Sequence, residues 1–183
     1  MKPKINVIDL DGTLVPYDSF QRYALIFLRK RKSLFKILLM SVLRFFKLID
    51  AGTFKKAVIL TARDIDNYEE IMRKFASKLH DDIDMKILDI TNEQKDSMTT
   101  NVLCTASAED YTRYLAELLQ WEYVCSRIDG QRGVFVHLYG KNKISAIEQL
   151  YPSSEYIYNF AISDSLADKD LLSKFEHSIL LTR

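Results

Sequence analysis

The chain holds little that turns or staples a backbone: five glycines, three prolines and two cysteines among 183 residues. So few breakers exclude an all-β sandwich, whose many tight turns draw on Gly and Pro, and favour long helices. Two cysteines exclude a disulfide scaffold, and no C-x-x-C or Cys/His spacing marks a zinc site. Cys104 and Cys125 lie in apolar stretches, VLCTA and YVCSR, and read as buried free thiols of a reducing compartment. The three histidines, His80, His137 and His177, stand far apart without a ligand pattern. A charge of one sign is also missing: 26 Lys+Arg face 25 Asp+Glu, a net +1. Such a balance creates no global field, which disfavours a general nucleic-acid binder. The opening MKPKINVIDLDGTL has too short an apolar run, interrupted by two aspartates, to read as a signal peptide, so a cytoplasmic location is expected. What the chain does have is apolar mass, 48% of its residues, enough for one core domain with an insertion.

The order of patterns gives the fold class. Ile5 to Leu10 (INVIDL) reads as a buried strand ending in an Asp-Gly turn. From Asp18 to about Lys78 the residues are almost all helix formers, with helices expected near 18–30, 33–49, 53–63 and 66–79. Strand signals then return at 101–105, 121–126, 134–139 (in a hairpin), 156–163 and 177–182, separated by helical patterns at 108–120, 141–150 and 168–175. Alternating strands and helices predict an α/β fold, a doubly wound parallel sheet with helices on both faces. A helical domain at 15–80 is then inserted into a core made of 1–14 and 81–183, with hinges at its two junctions.

Segment 29–49 is unusual. It carries Arg29, Lys30, Arg31, Lys32, Lys36, Arg44 and Lys47 and no acid. At about 100° per residue, Lys36, Lys47 and Arg44 form a narrow basic edge beside an apolar face of roughly 200°. The longest charge-free run, Ile37 to Leu43, is far short of the ~20 residues a spanning helix needs. Three readings compete: a helix buried against its neighbours with its basic edge in water, a surface that settles on anionic lipid, and a basic rim guiding a phosphorylated substrate. The acid-rich stretch 64–96 would neutralise the basic edge internally, which favours the first.

The chemistry sits in two acidic clusters. Asp9-Leu10-Asp11-Gly12-Thr13 follows the first strand, and D-x-D-G-T occurs by chance in only about two per thousand chains of this length. Residues i and i+2 leave a strand on one side, so both carboxylates can face one site. Two such carboxylates repel unless a cation or shared proton intervenes, and a hard, oxygen-seeking Mg²⁺ suits them. The second cluster, Ser163-Asp164-Ser165-Leu166-Ala167-Asp168, lies where another strand gives way to a helix. In a parallel sheet the carboxyl ends of strands share one edge, which would gather Asp9, Asp11, Thr105 and Asp164.

These residues resemble the four motifs of haloacid-dehalogenase-superfamily phosphatases, in the family's order and most similar to its phosphoserine-phosphatase-like subgroup. They are Asp9-x-Asp11-Gly12-Thr13, Thr105 in NVLCTAS, Lys143 in YGKNKISAIEQL, and Asp164 with Asp168 in SDSLADKDLL. The helical insertion resembles the family's cap in position. The resemblance implies that Asp9 is the nucleophile forming an aspartyl-phosphate and Asp11 the general acid and base. It implies that Thr105 hydrogen-bonds a phosphoryl oxygen and that Lys143 neutralises charge beside Asp9. Mg²⁺ would be bound by Asp9, the Asp11 backbone carbonyl and Asp164, with Asp168 a further ligand or a partner of the ligands. Ser107 lies two residues beyond Thr105, and Lys141 two before Lys143. The two lysines fall about 200° apart on a helix, so one alone faces the site, and the G-x-x-K spacing favours Lys143. The expected function is an Mg²⁺-dependent phosphomonoester hydrolase acting on a small phosphorylated substrate. The alternatives are a lipid-phosphate phosphatase at the membrane surface through 29–49, a non-catalytic phosphate-binding relict, and a phosphotransferase with the same residues. Tyr17, Asp18, Phe20, Gln21 and Arg22, at the entry to the insertion, are candidates for reading the substrate.

Overall fold

The computed structural model describes residues 2–28, 31–130 and 133–182, with the side chains of 31–33 left aside. Arg29 and Lys30 of the basic segment lie outside the described residues. Strand β1 (Lys4–Ile8) is followed by five helices: α1 (Ser19–Leu28), α2 (Arg31–Phe45), α3 (Ala51–Arg63), α4 (Tyr68–Asp81) and α5 (Met85–Glu93). Then come β2 (Thr99–Ala108), α6 (Glu109–Leu119), β3 (Glu122–Asp129), β4 (Val134–Val136), α7 (Lys141–Leu150), β5 (Ile157–Ser163), a 3₁₀ turn at Leu166–Asp168, α8 (Lys169–Leu172) and β6 (His177–Leu180). The sheet order is β4-β3-β2-β1-β5-β6, parallel except for the β3–β4 hairpin. This is the expected doubly wound α/β fold, with β1 at its centre.

Period-two alternation assigns the sheet's faces. Val7, Val102, Cys104 and Ala161 share one apolar cluster with Ile147, Leu171 and Leu172, so α7 and α8 cover that face. Ile8, Leu103, Phe160 and Ile162 point the other way, into a cluster that runs without a break through Phe20, Phe27, Val58, Met72, Leu79 and Leu115. The insertion therefore shares its core with α6 and one face of the sheet. Arg63 on α3 clamps Asp110 on α6 with two hydrogen bonds of 2.8 and 2.9 Å, and the Tyr23 and Tyr68 hydroxyls pair at 2.9 Å beneath it. The two ends of the insertion lie side by side: Asp84 N–H donates to Leu14 O at 2.9 Å, and the Tyr17 hydroxyl donates to Asp82 at 2.5 Å.

Local chemistry starts the helices. Asp18 accepts from Gln21 N–H, Asp50 from Thr53 N–H and Asp84 from Lys86 N–H, each ahead of its helix. Helix α5 was not expected from the sequence. It packs beside the sheet, where Gln94 O accepts from the buried Asn6 and Asn159 amides. The last helical pattern, expected over 168–175, is a 3₁₀ turn plus four helical residues.

Helix α2 departs from expectation. It touches α1 and α3, yet of its apolar residues with described side chains only Ile37 is buried. Its broad apolar face is in solvent, so the reading of a helix buried against its neighbours is overturned. The reason is geometric: α1, α3 and α4 already fill one another's apolar faces and the sheet's, leaving α2 one narrow seat. Among the described residues no ion pair joins Lys36, Arg44 or Lys47 to an acid of 64–96.

Candidate active site

Three strand ends and two helix starts meet at one edge of the sheet. Asp9 prolongs β1, its N–H donating to Ile162 O of β5 at 3.0 Å. Beyond it the chain must turn sharply beside Asp164. Gly12 makes that turn at φ +71°, and a Cβ there would stand 1.9 Å from Asp164 Oδ2. The glycine of D-x-D-G-T is thus fixed by close approach as well as by backbone angle. Thr13 completes the seam: its Oγ1 accepts from Asp164 N–H at 2.9 Å.

Lys143 rises from the first turn of α7 into the middle of this edge, fully buried. Its Nζ donates to Asp9 Oδ1 at 2.9 Å and to Asp168 Oδ2 at 2.7 Å. Lys141 is exposed, as the angular argument requires of one of the two. Asp168 also accepts from Ser163 Oγ at 2.7 Å, so this carboxylate is occupied in orienting the lysine. Asp9 Oδ2 has a single long contact, 3.4 Å from Ser163 Oγ, and Asp9 lines a cavity with Asp11, Thr105, Lys143, Asp164 and Tyr139.

Asp11 joins the core to the insertion. Its Oδ1 accepts from Ser19 N–H at 2.7 Å, at the start of α1, and its Oδ2 from Ser107 Oγ at 2.5 Å. Ser19 Oγ in turn lies 2.9 Å from both the Ser107 and Tyr111 hydroxyls. The two motif II candidates thus divide. Thr105 lines the cavity and accepts Ser107 N–H at 3.1 Å, whereas the Ser107 hydroxyl is held by Asp11.

The electrostatics follow from one cation among several acids. Burial raises the Asp9 carboxyl to about 6; Lys143 pulls it back, and the neighbouring Asp168 and Asp11 push it up again. Burial also raises Asp11, against the pull of its hydrogen bonds from Ser107 and Ser19. For Lys143 burial opposes the charge, but Asp9 and Asp168 outweigh it and the ammonium is held well above its ordinary range.

The oxygen set suits a hard divalent cation. Asp9 and Asp164 supply carboxylates at one cavity, beside the single buried ammonium of Lys143. No group of three His, Cys, Asp or Glu side chains converges as a ready cage among the described residues.

One cation was not anticipated. Lys55 of α3 reaches from the insertion to the site, its Nζ donating to Ala106 O at 2.7 Å and sitting 5.1 Å from the Phe20 ring centre. Burial lowers its affinity for the proton, while Asp11 and Asp18 favour the charge. No local motif distinguishes Lys55 from Lys56; only the helix rotation does. Arg22, a candidate reader, is drawn away: its guanidinium lies over the Tyr17 ring at 3.2 Å and pairs with Asp82 at 3.3 Å. Of the other entry candidates, Asp18 caps α1, and Phe20 is buried beneath Lys55.

A central strand that leads into Asp9 and Asp11, a buried lysine and a helical insertion after the first strand are the features by which this α/β fold can be compared with others. The model of the haloacid dehalogenase-like hydrolase family matches residues 7–173, and the chain belongs to that family. Comparison with curated protein sequences gives no match. Among solved structures, a protein of unknown function from Bordetella pertussis Tohama I is 14% identical with a TM-score of 0.76, covering 98% of this chain and 90% of its own. Phosphoserine phosphatase from T. onnurineus is 17% identical with a TM-score of 0.57, covering 100% and 85%. A phospho-aspartyl intermediate analogue of phosphoserine phosphatase is 13% identical with a TM-score of 0.54, covering 98% and 87%. At these identities the likeness is one of fold.

Proposed function

We propose that the protein is an Mg²⁺-dependent phosphomonoester hydrolase working through an aspartyl-phosphate on Asp9. The observation that carries this reading is the buried Lys143, which bonds one oxygen of Asp9 at a cavity that Asp9 lines together with Asp11, Thr105 and Asp164. Asp9 Oδ2 attacks phosphorus, and the bond from phosphorus to the ester oxygen breaks. Asp11 gives its proton to the leaving alkoxide. Water then attacks the aspartyl-phosphate, Asp11 takes the proton back, and phosphate leaves with Asp9 restored. Thr105 and Lys143 supply hydrogen bonds and charge to the equatorial oxygens, where phosphoryl transfer places it.

Mg²⁺ would be held by Asp9, the Asp11 carbonyl and Asp164, and when bound supplies positive charge opposite the phosphoryl oxygens. Asp168 positions Lys143 through a bond of 2.7 Å, which favours its role as a partner of the site over that of a ligand. The insertion, residues 15–80, acts as the cap, and Lys55 is its reader of negative charge on a small phosphorylated substrate. The buried free thiols Cys104 and Cys125 support a cytoplasmic setting. The test is hydrolysis of a generic aryl phosphate with Mg²⁺, beside Asp9→Asn and a chelator control. Turnover abolished by both supports the reading. Turnover that survives Asp9→Asn rejects the nucleophile. No turnover, together with no beryllofluoride adduct on Asp9, rejects catalysis in favour of a phosphate-binding relict.

A further inference from the structure

Among the described residues, helix α2 and the turn after it gather exposed large apolar side chains on one stretch of chain. Phe35 is 78% exposed, Leu38 52%, Val42 44% and Phe45 81%, and the turn adds Phe46 at 65% and Leu48 at 70%. At about 100° per residue the four helical members fall within a single arc of roughly 80°, so they form one stripe. Phe45 and Phe46 stand edge to face, 5.4 Å between ring centres, with nothing covering them. A contiguous apolar surface of this kind marks an interaction site. Lys36 borders this face, about 60° round the helix from Leu39, itself 44% exposed, and exposed Lys47 stands in the turn between Phe46 and Leu48; Arg44 lies farther round, toward the buried Ile37, and no acid occurs between residues 29 and 49.

We propose that this face lies on an anionic bilayer surface, with the aromatic stripe in the acyl–headgroup boundary and the basic edge at the headgroups. Three observations select that occupant. The charge at the edge of the stripe is of one sign and complements acidic lipid. The 15 residues of α2 make a rod of about 22 Å, and no helix among the described residues is long and apolar enough to cross a membrane, so the helix lies on the surface and does not span. A second copy seated here in an isologous pair would set basic edge against basic edge.

The experiment is flotation of the whole protein with large unilamellar vesicles, pure phosphatidylcholine against phosphatidylcholine with one-third phosphatidylglycerol. Binding is read directly and stands apart from any phosphatase activity. The expected result is binding to the anionic vesicles about tenfold stronger than to the neutral ones, weakened by salt as the headgroup charge is screened. Two variants divide the contributions: Phe35→Ser with Phe45→Ser, and Lys36→Glu with Arg44→Glu. Each is expected to lose binding while keeping the thermal melt. No binding at low salt, or binding unchanged in both variants, overturns the proposal. A concentration-dependent dimer in sedimentation equilibrium that Phe35→Ser with Phe45→Ser dissociates also overturns it and assigns the face to a second copy.

Discussion

Two regions of this protein hold residues where their chemistry does not usually place them. At the sheet edge, charged Asp9, Lys143 and Asp168 are buried; on α2, Phe35 and Phe45 are in solvent. The difference is in what answers each cost. The buried charges answer one another within 2.9 Å, and Ser163 and Ser107 bond carboxylate oxygens that would otherwise be bare. Among the described residues the exposed aromatics have no such answer. A region that is expensive but satisfied belongs to the molecule's own reaction; a region that is expensive and unsatisfied points outside it.

Breaking the satisfied region should cost most. Lys143→Met leaves two buried carboxylates without their cation. The expected loss is ~3–5 kcal/mol of stability, and in protein that still folds ~10²–10³ in kcat/KM. Denaturant melts and steady-state kinetics check the two separately.

The next effect is a pH dependence. Burial raises Asp9 to about 6 from its ordinary value of 3.8. A raised carboxyl contributes stability that is full below the lower value and lost as pH climbs through the upper one. In chelator-treated protein this loss should reach up to ~3 kcal/mol. Asp9→Asn should flatten the curve between pH 4 and 7, and Mg²⁺ should raise the melting temperature more at pH 7 than at pH 5. A wild-type curve already flat in chelator would refute the strained cluster.

Gly12→Ala sharpens the same comparison. The new methyl would displace Asp164 and sit at φ +71°. The expected cost is ~1–3 kcal/mol, together with a raised Mg²⁺ requirement, read by titrating activity with the ion. Lys55→Met tests the insertion's reach into the site. KM should rise about tenfold, the worth of one charge-assisted hydrogen bond of ~1.5 kcal/mol, with kcat little changed.

The smallest effect falls on the unsatisfied region and is informative for that reason. Phe45→Ser should alter stability by no more than ~0.5 kcal/mol, whereas Ile37→Ala, eight residues earlier and buried, should cost at least ~2 kcal/mol. Equal losses at the two positions would mean that Phe45 is covered in solution and would dissolve the contrast.

The sequence by itself determined the α/β order and the acidic signatures. Strand alternation, helix caps and D-x-D-G-T act within a few residues, and the chemistry of Asp9, Asp11 and Gly12 depends on spacing that the chain shows directly. The hydrophobic pattern of α2 was equally legible, but not its fate. Amphipathicity says that a face seeks cover, and only the packing of α1, α3, α4 and α6 around one continuous core decided that no cover was left. Tertiary structure likewise chose Lys143 over Lys141 as the residue turned toward Asp9, drew Arg22 onto Tyr17, and brought Lys55 to Ala106 across 51 residues of sequence. These are rotations and long-range meetings, set by which surfaces bury together, and no local window of residues contains them.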